Sequence, residues 1–315
     1  MGSAIARHLT MENCDVITID RAQVDLRRQS ETEDWMAQSK PDALFLAAAT
    51  VGGIHANHTR PTEFLCDNLA IETNIIEGAR RSGVEKLMFM GSACIYPRLA
   101  EHRWSRTPCS RARSNPRTKH IRWPRSRLSN FVVLTNGNMA ADYISAMPNN
   151  LYGLEDNFDL QNSHVIPALM RKAHEEKTGG DPAMTVWGSG TPLREFLYVD
   201  DLADADVFLM KQYSGETRLN IGTDEEISIA DLAATVAAAV GYEGKLVFDA
   251  DKPDGAPRKL LGVSRLSPMG WHSTTKLLDG LRLTYDRYLA SEKQTRAPGV
   301  KTSPRNQFQS AHATS

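Results

Sequence analysis

The chain has 315 residues, 41% hydrophobic and 24% charged, with a formal net charge of −1, which excludes disorder throughout and supplies no global basic field for nucleic acid. Four scattered cysteines (Cys14, Cys66, Cys94, Cys109) form neither a CxxC metal pattern nor a small disulfide scaffold, so the expectation is a reducing cytoplasm and no metal. No apolar run reaches the roughly 18 residues of a membrane span, and the first residues hold no export signal, so neither membrane nor nucleic acid is expected as a partner.

In chain order, Gly2 to Leu9 has helical spacing, Cys14 to Ile19 (CDVITI) is β-rich, Gln29 to Gln38 is polar-helical and Ala43 to Ala49 (ALFLAAA) reads as a buried strand. A helix over Asn68–Ser82 and a strand over Lys86–Met90 follow. Strands spaced by helices predict an α/β doubly wound parallel sheet of the Rossmann kind, with ligands at the carboxyl ends of the strands. Such a sheet ordinarily opens on an apolar strand and a Gly-rich turn. Here the chain begins on the helix, so the expectation is a sheet lacking its first strand, with Gly2 as the last glycine of that turn and roughly 10 to 15 residues absent.

Residues 101–139 carry eight arginines and one acid, Glu101, in a chain otherwise balanced in charge. A basic nucleic-acid arm is one explanation; another is given below. Beyond them come helices over His164–Glu176, Asp200–Gln212 and Ile229–Val240, with short strands at Thr185–Trp187 and Lys245–Asp249. The expected division is a cofactor-binding domain over 1–155 with returning segments near 185–225, a smaller C-terminal substrate domain over 156–290, and a disordered tail over 291–315.

Eight strings stand in one order: LAAATVGGIHANHTRP (46–61), NLAIETNII (68–76), GSACIYP (91–97), MPNNLYG (147–153), NSHVIPAL (162–169), VWGSGTPLREFLYVDDLA (186–203), NIGT (220–223) and DKPDGAPRKLLGVSRL (251–266). Together they resemble the GDP-L-fucose synthase family of extended short-chain dehydrogenases/reductases. The resemblance implies two stages on one site: epimerisation of GDP-4-keto-6-deoxy-mannose at two ring carbons, then reduction of the ketone by NADPH. Moving protons beside a carbonyl needs an acid and a base, and Cys94 and His164 match that pair. Ser92 matches the serine that supports a developing alkoxide, completing the implied catalytic set.

For the cofactor, NADP(H), the resemblance implies Gly2, Ala47, Ala48, Gly91, Asn149 and Leu151. Asp20-Arg21 is ambiguous in itself: an acid there suits the ribose hydroxyl of NAD, whereas Arg21 suits the 2′-phosphate of NADP, the choice that the resemblance supports. Lys172, Trp187, Arg194 and Arg258 match positions facing the GDP-sugar, where cations suit a diphosphate and a ring suits a base or sugar face. A homodimer is also implied.

One departure is large. At constant length the family's tyrosine and lysine fall at Ile121 and Arg125. Read in another frame with suitable synonymous codons, residues from about 103 to 140 yield family-like strings, including a Tyr and a Lys codon at YxxxK spacing. The segment therefore reads as a frameshifted stretch, for which a loop or broken helix is expected. Two other readings stay open: another NAD(P)-dependent sugar-nucleotide epimerase or dehydratase, against which Cys94 and His164 argue, and a catalytically dead homologue acting only by binding or assembly.

Overall fold

The computed structural model describes residues 1–51, 59–93, 141–160 and 162–296. Helix α1 (Gly2–Leu9) and helix α2 (Gln29–Ser39) precede strand β1 (Ala43–Leu46); helix α3 (Pro61–Ser82), strand β2 (Lys86–Met90) and strand β3 (Asp142–Pro148) follow. Proline opens α3, where its fixed φ suits the first turn, and Gly83 at φ 75° closes it in the left-handed region that glycine tolerates. With strand β8 (Leu219–Ile221), the three strands form one sheet in the order β1-β2-β3-β8, every neighbouring pair parallel.

Both faces of this sheet are covered, and the sequence explains why. In β2, Leu87 and Phe89 point to one face and pack with Ile75, Ile76 and Ala79 of α3. Met88 and Met90 point to the other, against Leu202 and Leu209 of helix α5 (Val199–Gln212). A strand apolar at every position therefore serves two cores, as parallel sheets require. Helix α1 lies on α5 through Ala4, Ile5, Val199 and Ala203.

A second core belongs to the C-terminal half. Strands β5 (Ala183–Trp187) and β10 (Lys245–Asp249) pair in parallel. Helices α4 (Val165–Gly179), α6 (Ile229–Val240) and α7 (Leu277–Arg296) supply Ile166, Met170, Val236 and Leu281 to a shared cluster with Met184. Two small sheets carry the chain between the halves. Strand β4 (Asn150–Tyr152) pairs with β7 (Phe196–Tyr198). Strand β6 (Leu193–Arg194) lies between β11 (Arg258–Lys259) and β9 (Ile227–Ser228).

Three expectations change. Residues 14–19 form no strand, and Ile17 is 55% exposed. A β-rich run becomes a strand only beside a partner, and among the described residues the sheet ends at β1. Residues 291–296, expected as the start of a disordered tail, are helical, because α7 continues to Arg296; the rest of the expected tail lies outside the described residues. Helix α3 begins seven residues before Asn68, since Thr-Glu-Phe-Leu continues the apolar face onto buried Phe64. The arginine-rich segment lies outside the described residues.

Candidate functional site

The carboxyl ends of β1, β2 and β3 and the start of α1 meet at one edge of the sheet. An ideal Cβ on Gly2 would lie 3.8 Å from the Ala47 Cβ, so the helix N-terminus stands over the end of β1, where Ala47 and half-buried Ala48 follow. The first turn of α1 holds no acid, and no side chain caps it. Its peptide N–H groups and helix dipole thus suit an anion. Gly91 ends β2, donating its N–H to the Ala146 carbonyl at 2.8 Å; a Cβ there would strike Met147. Ser92 follows, half-buried. Cys94 lies outside the described residues, as do Ile121 and Arg125.

The loop after β1 is held by a residue that sequence reasoning missed. Buried Asn68 on α3 accepts from the Thr50 N–H at 2.7 Å and donates to the Thr50 carbonyl at 2.9 Å. This pairing treats the loop as a strand edge. Arg21 stands on an exposed turn organised by the Asp20 carboxylate, which accepts from the Ala22 and Gln23 N–H groups.

On the other side, His164 precedes α4 with extended backbone. The residue is exposed, yet the protein around it lowers the imidazole pKa; burial is the larger cause and the Lys259 ammonium the smaller. Lys259 also donates to Asn150 Oδ1 at 3.0 Å. His164, Lys259 and Asn150 therefore share one neighbourhood. The register of β11 on β6 pairs Lys259 with Arg194, bringing a further cation alongside. Burial lowers the Arg194 pKa from its usual range, and its Nη1 donates to the Leu193 carbonyl at 2.7 Å.

Asn149 and Leu151 continue from β3 into β4. Asn149 donates its N–H to the Ile221 carbonyl at 3.2 Å and its side-chain amide to Glu195. Leu151 packs half-buried against the sheet core.

Trp187 forms a separate feature. It is 65% exposed, with the Lys172 ammonium 5.1 Å from its ring centroid and the Lys252 ammonium 5.6 Å away. Two cations around an open ring can receive a phosphate and an aromatic base together. Lys172 also donates to the Thr185 carbonyl at 3.2 Å, and burial lowers its pKa. Arg258 is held differently: its Nε donates to Glu226 Oε1 at 2.8 Å, so a ligand phosphate would have to compete with that carboxylate.

Sequence reasoning also missed Lys259, Asn150 and Glu195. For Lys259 a signal existed, because successive residues of a strand face opposite ways: Arg258 reaches Glu226 and Lys259 reaches Asn150. Glu195 gave none, since an acid after Arg194 reads as a solvated pair. Among the described residues no group of three or more His, Cys, Asp or Glu is arranged to hold a metal ion, and no helix is long and apolar enough to cross a membrane.

A model of the NAD dependent epimerase/dehydratase family matches residues 1–222. The chain is 47% identical over 291 residues to the GDP-L-fucose synthase of Sinorhizobium fredii (strain NBRC 101917 / NGR234), covering 92% of this chain and 93% of that protein. It is 46% identical over 290 residues to GDP-L-fucose synthase 1 of Arabidopsis thaliana, covering 92% and 90%. Among solved structures, a GDP-L-fucose synthetase from Naegleria fowleri bound to NADP superposes with a TM-score of 0.86 at 25% identity, covering 93% of this chain and 90% of that one. A GDP-6-OMe-4-keto-L-xylo-heptose reductase from C. jejuni gives a TM-score of 0.86 at 26% identity, covering 92% and 94%.

Proposed function

Because the chain belongs to the NAD dependent epimerase/dehydratase family, we propose that it acts on GDP-4-keto-6-deoxy-mannose, epimerising it beside the ketone and reducing it with NADPH as a GDP-L-fucose synthase does. The observation that carries this reading is the 47% identity to such an enzyme over 92% of the chain. The residues present fit the cofactor: an uncapped helix start free of acids, small residues at the end of β1, and Asn149 and Leu151 where the chain runs from β3 into β4. When bound, NADPH supplies hydride.

The chain's own residues divide the remaining tasks. His164, whose pKa burial and Lys259 lower, is assigned to accept a proton from carbon beside a polarised carbonyl. Cys94 is assigned the partner role on the other face of the sugar. Ser92, at the end of β2, is assigned to hydrogen-bond the developing alkoxide. Trp187, Lys172 and Arg194 receive the GDP portion. Arg21 is assigned to the 2′-phosphate.

Reduction is the weaker stage on this reading, because Ile121 and Arg125 stand where the family's proton-donating tyrosine and its lysine belong. We assign the chain to the cytoplasm as a homodimer, with the cofactor-binding unit over 1–155 and 185–225 and the substrate unit over 156–290. The test is the full chain with GDP-4-keto-6-deoxy-mannose in deuterated water. Deuterium should enter the two carbons flanking the ketone, with NADPH absorbance falling slowly or not at all. Absence of deuterium entry would overturn the assignment of His164 and Cys94 and leave the binding-only homologue.

A further inference from the structure

The carboxylate of Glu195 lies between β6 and β7 with 0% exposure, and the N–H donors it meets come from three distant stretches of chain. Its Oε1 accepts from the Thr223 N–H at 2.6 Å and the Asp224 N–H at 2.9 Å. Its Oε2 accepts from the Leu261 N–H at 3.0 Å and from the Asn149 side-chain amide. Position 222 is glycine because a Cβ there would collide with this carboxylate. The backbone carbonyl of Glu195 also accepts from the Asn150 side chain at 2.8 Å.

Four N–H donors with no counter-cation among the described residues are an expensive way to hold a loop. Burial pushes the Glu195 pKa up while those hydrogen bonds pull it down, and an apolar residue of similar size would fill the same space without desolvating a charge. What a carboxylate does that an apolar residue cannot is fix the orientation of an amide. With Glu195 accepting at Nδ2, the Asn149 amide cannot flip. Its Oδ1, which accepts from the Asn150 N–H at 2.9 Å, is set as well, so both ends of the amide are specified. The same carboxylate holds Leu261, two residues beyond Lys259, which donates to Asn150 and acts on His164.

We propose that Glu195 is a positioning residue that works through Asn149, locking the loop assigned to the cofactor in register with the segment carrying the substrate-side cations. The proposal rests on the reading of Asn149 as part of the cofactor loop.

The experiment is a double-mutant cycle on the full chain, read by NADPH fluorescence titration, with far-UV circular dichroism to verify folding. Asn149→Ala and Glu195→Gln should each raise the NADPH Kd by about tenfold, the worth of one well-placed hydrogen bond. Glu195→Gln/Asn149→Ala should be no weaker than either single variant, because both remove the same orientation. Glu195→Gln/Asn149→Asp, which restores a donor–acceptor pair between the two side chains at the cost of the Leu261 N–H contact, should bind NADPH more tightly than Glu195→Gln alone.

Additive losses, or a Glu195→Gln variant binding as tightly as the parent while Asn149→Ala binds weakly, would overturn the proposal and leave the cofactor loop intact. An Asn149→Ala variant with unchanged Kd, or a parent chain that binds no NADPH, would instead sink the cofactor reading beneath it, and the proposal with it. Should Glu195→Gln fail to fold, Asn149→Asp decides, because it sets a second carboxylate against Glu195 and leaves the Thr223, Asp224 and Leu261 N–H contacts in place: a Kd raised at least as far as in Asn149→Ala supports the pairing, and a parental Kd overturns it.

Discussion

Asp156, in the turn region that follows β4, offers a pH test whose size follows from its surroundings. Burial pushes its carboxyl up from the ordinary 3.8 to about 6, although the Asn157 N–H and the nearby α-amino group of Met1 stabilise the charged form. Oδ1 accepts from the Asn157 N–H at 2.8 Å, while buried Oδ2 has no hydrogen-bond partner among the described residues. Between the two pKa values the folded chain holds a proton that the unfolded chain has lost, so stability falls as pH rises through that window.

Linkage gives a penalty of about 2 kcal/mol at pH 5 and about 3 kcal/mol at pH 8, once both states are ionised. Asp156→Asn keeps the acceptor for Asn157 and removes the titration. Its advantage over the parent should therefore widen by about 1 kcal/mol between pH 5 and pH 8, whatever constant offset the new amide brings. Urea unfolding of both chains across that range measures the difference, and fully buried Asp206, present in both, largely cancels. A difference that stays flat, or narrows as pH rises, would refute a raised carboxyl at this position.

Three further outcomes are expected. Lys259→Met removes the smaller cause of the His164 shift, so NMR titration should find the imidazole pKa moved up toward its ordinary value; a stationary or falling pKa would break the link between the two residues. Asn68→Ala leaves the Thr50 N–H and carbonyl without the partners they have now, at a cost of about 2–4 kcal/mol in urea unfolding, and a loss below about 1 kcal/mol would mean that water replaces the clamp. Exchanging residues 103–140 for their other-frame reading, which places Tyr at 121 and Lys at 125, should raise NADPH oxidation by about 10² to 10⁴; no gain would refute the assignment of Ile121 and Arg125.

What was legible in the sequence was whatever depends on a residue and its near neighbours. The run Lys86–Met90 is apolar at every position, and only a strand covered on both faces tolerates that. Residues 14–19 have the same local character, but strandedness there depends on a partner absent from the described residues. The site divides in the same way. His164 was found because it stands inside a recognisable string, and the structure supplies the Lys259 beside it. Glu195 and Asn68 were invisible because their roles are long-range: Glu195 joins residues 149, 223, 224 and 261, and Asn68 reaches back to residue 50. A buried carboxylate and a solvated one are the same letter, and only the location of the N–H donors separates them.

On the proposed reading, the two chemical stages draw on different parts of this chain. Relocating protons beside the ketone asks for an acid and a base, and His164, its pKa lowered by burial and by the neighbouring Lys259, is the base assigned to that stage. Reducing the ketone asks for a donor that protonates an alkoxide, a task that falls to position 121, where an isoleucine side chain has no proton to give. The Lys259–Asn150 bond joins β11 to β4, and Glu195 ties the neighbouring residues 149 and 261 together; none of these contacts involves residues 103–140. Deuterium entry without NADPH oxidation is the separation this arrangement entails, and a chain that oxidised NADPH while exchanging no carbon-bound proton would reverse the assignment of the two stages.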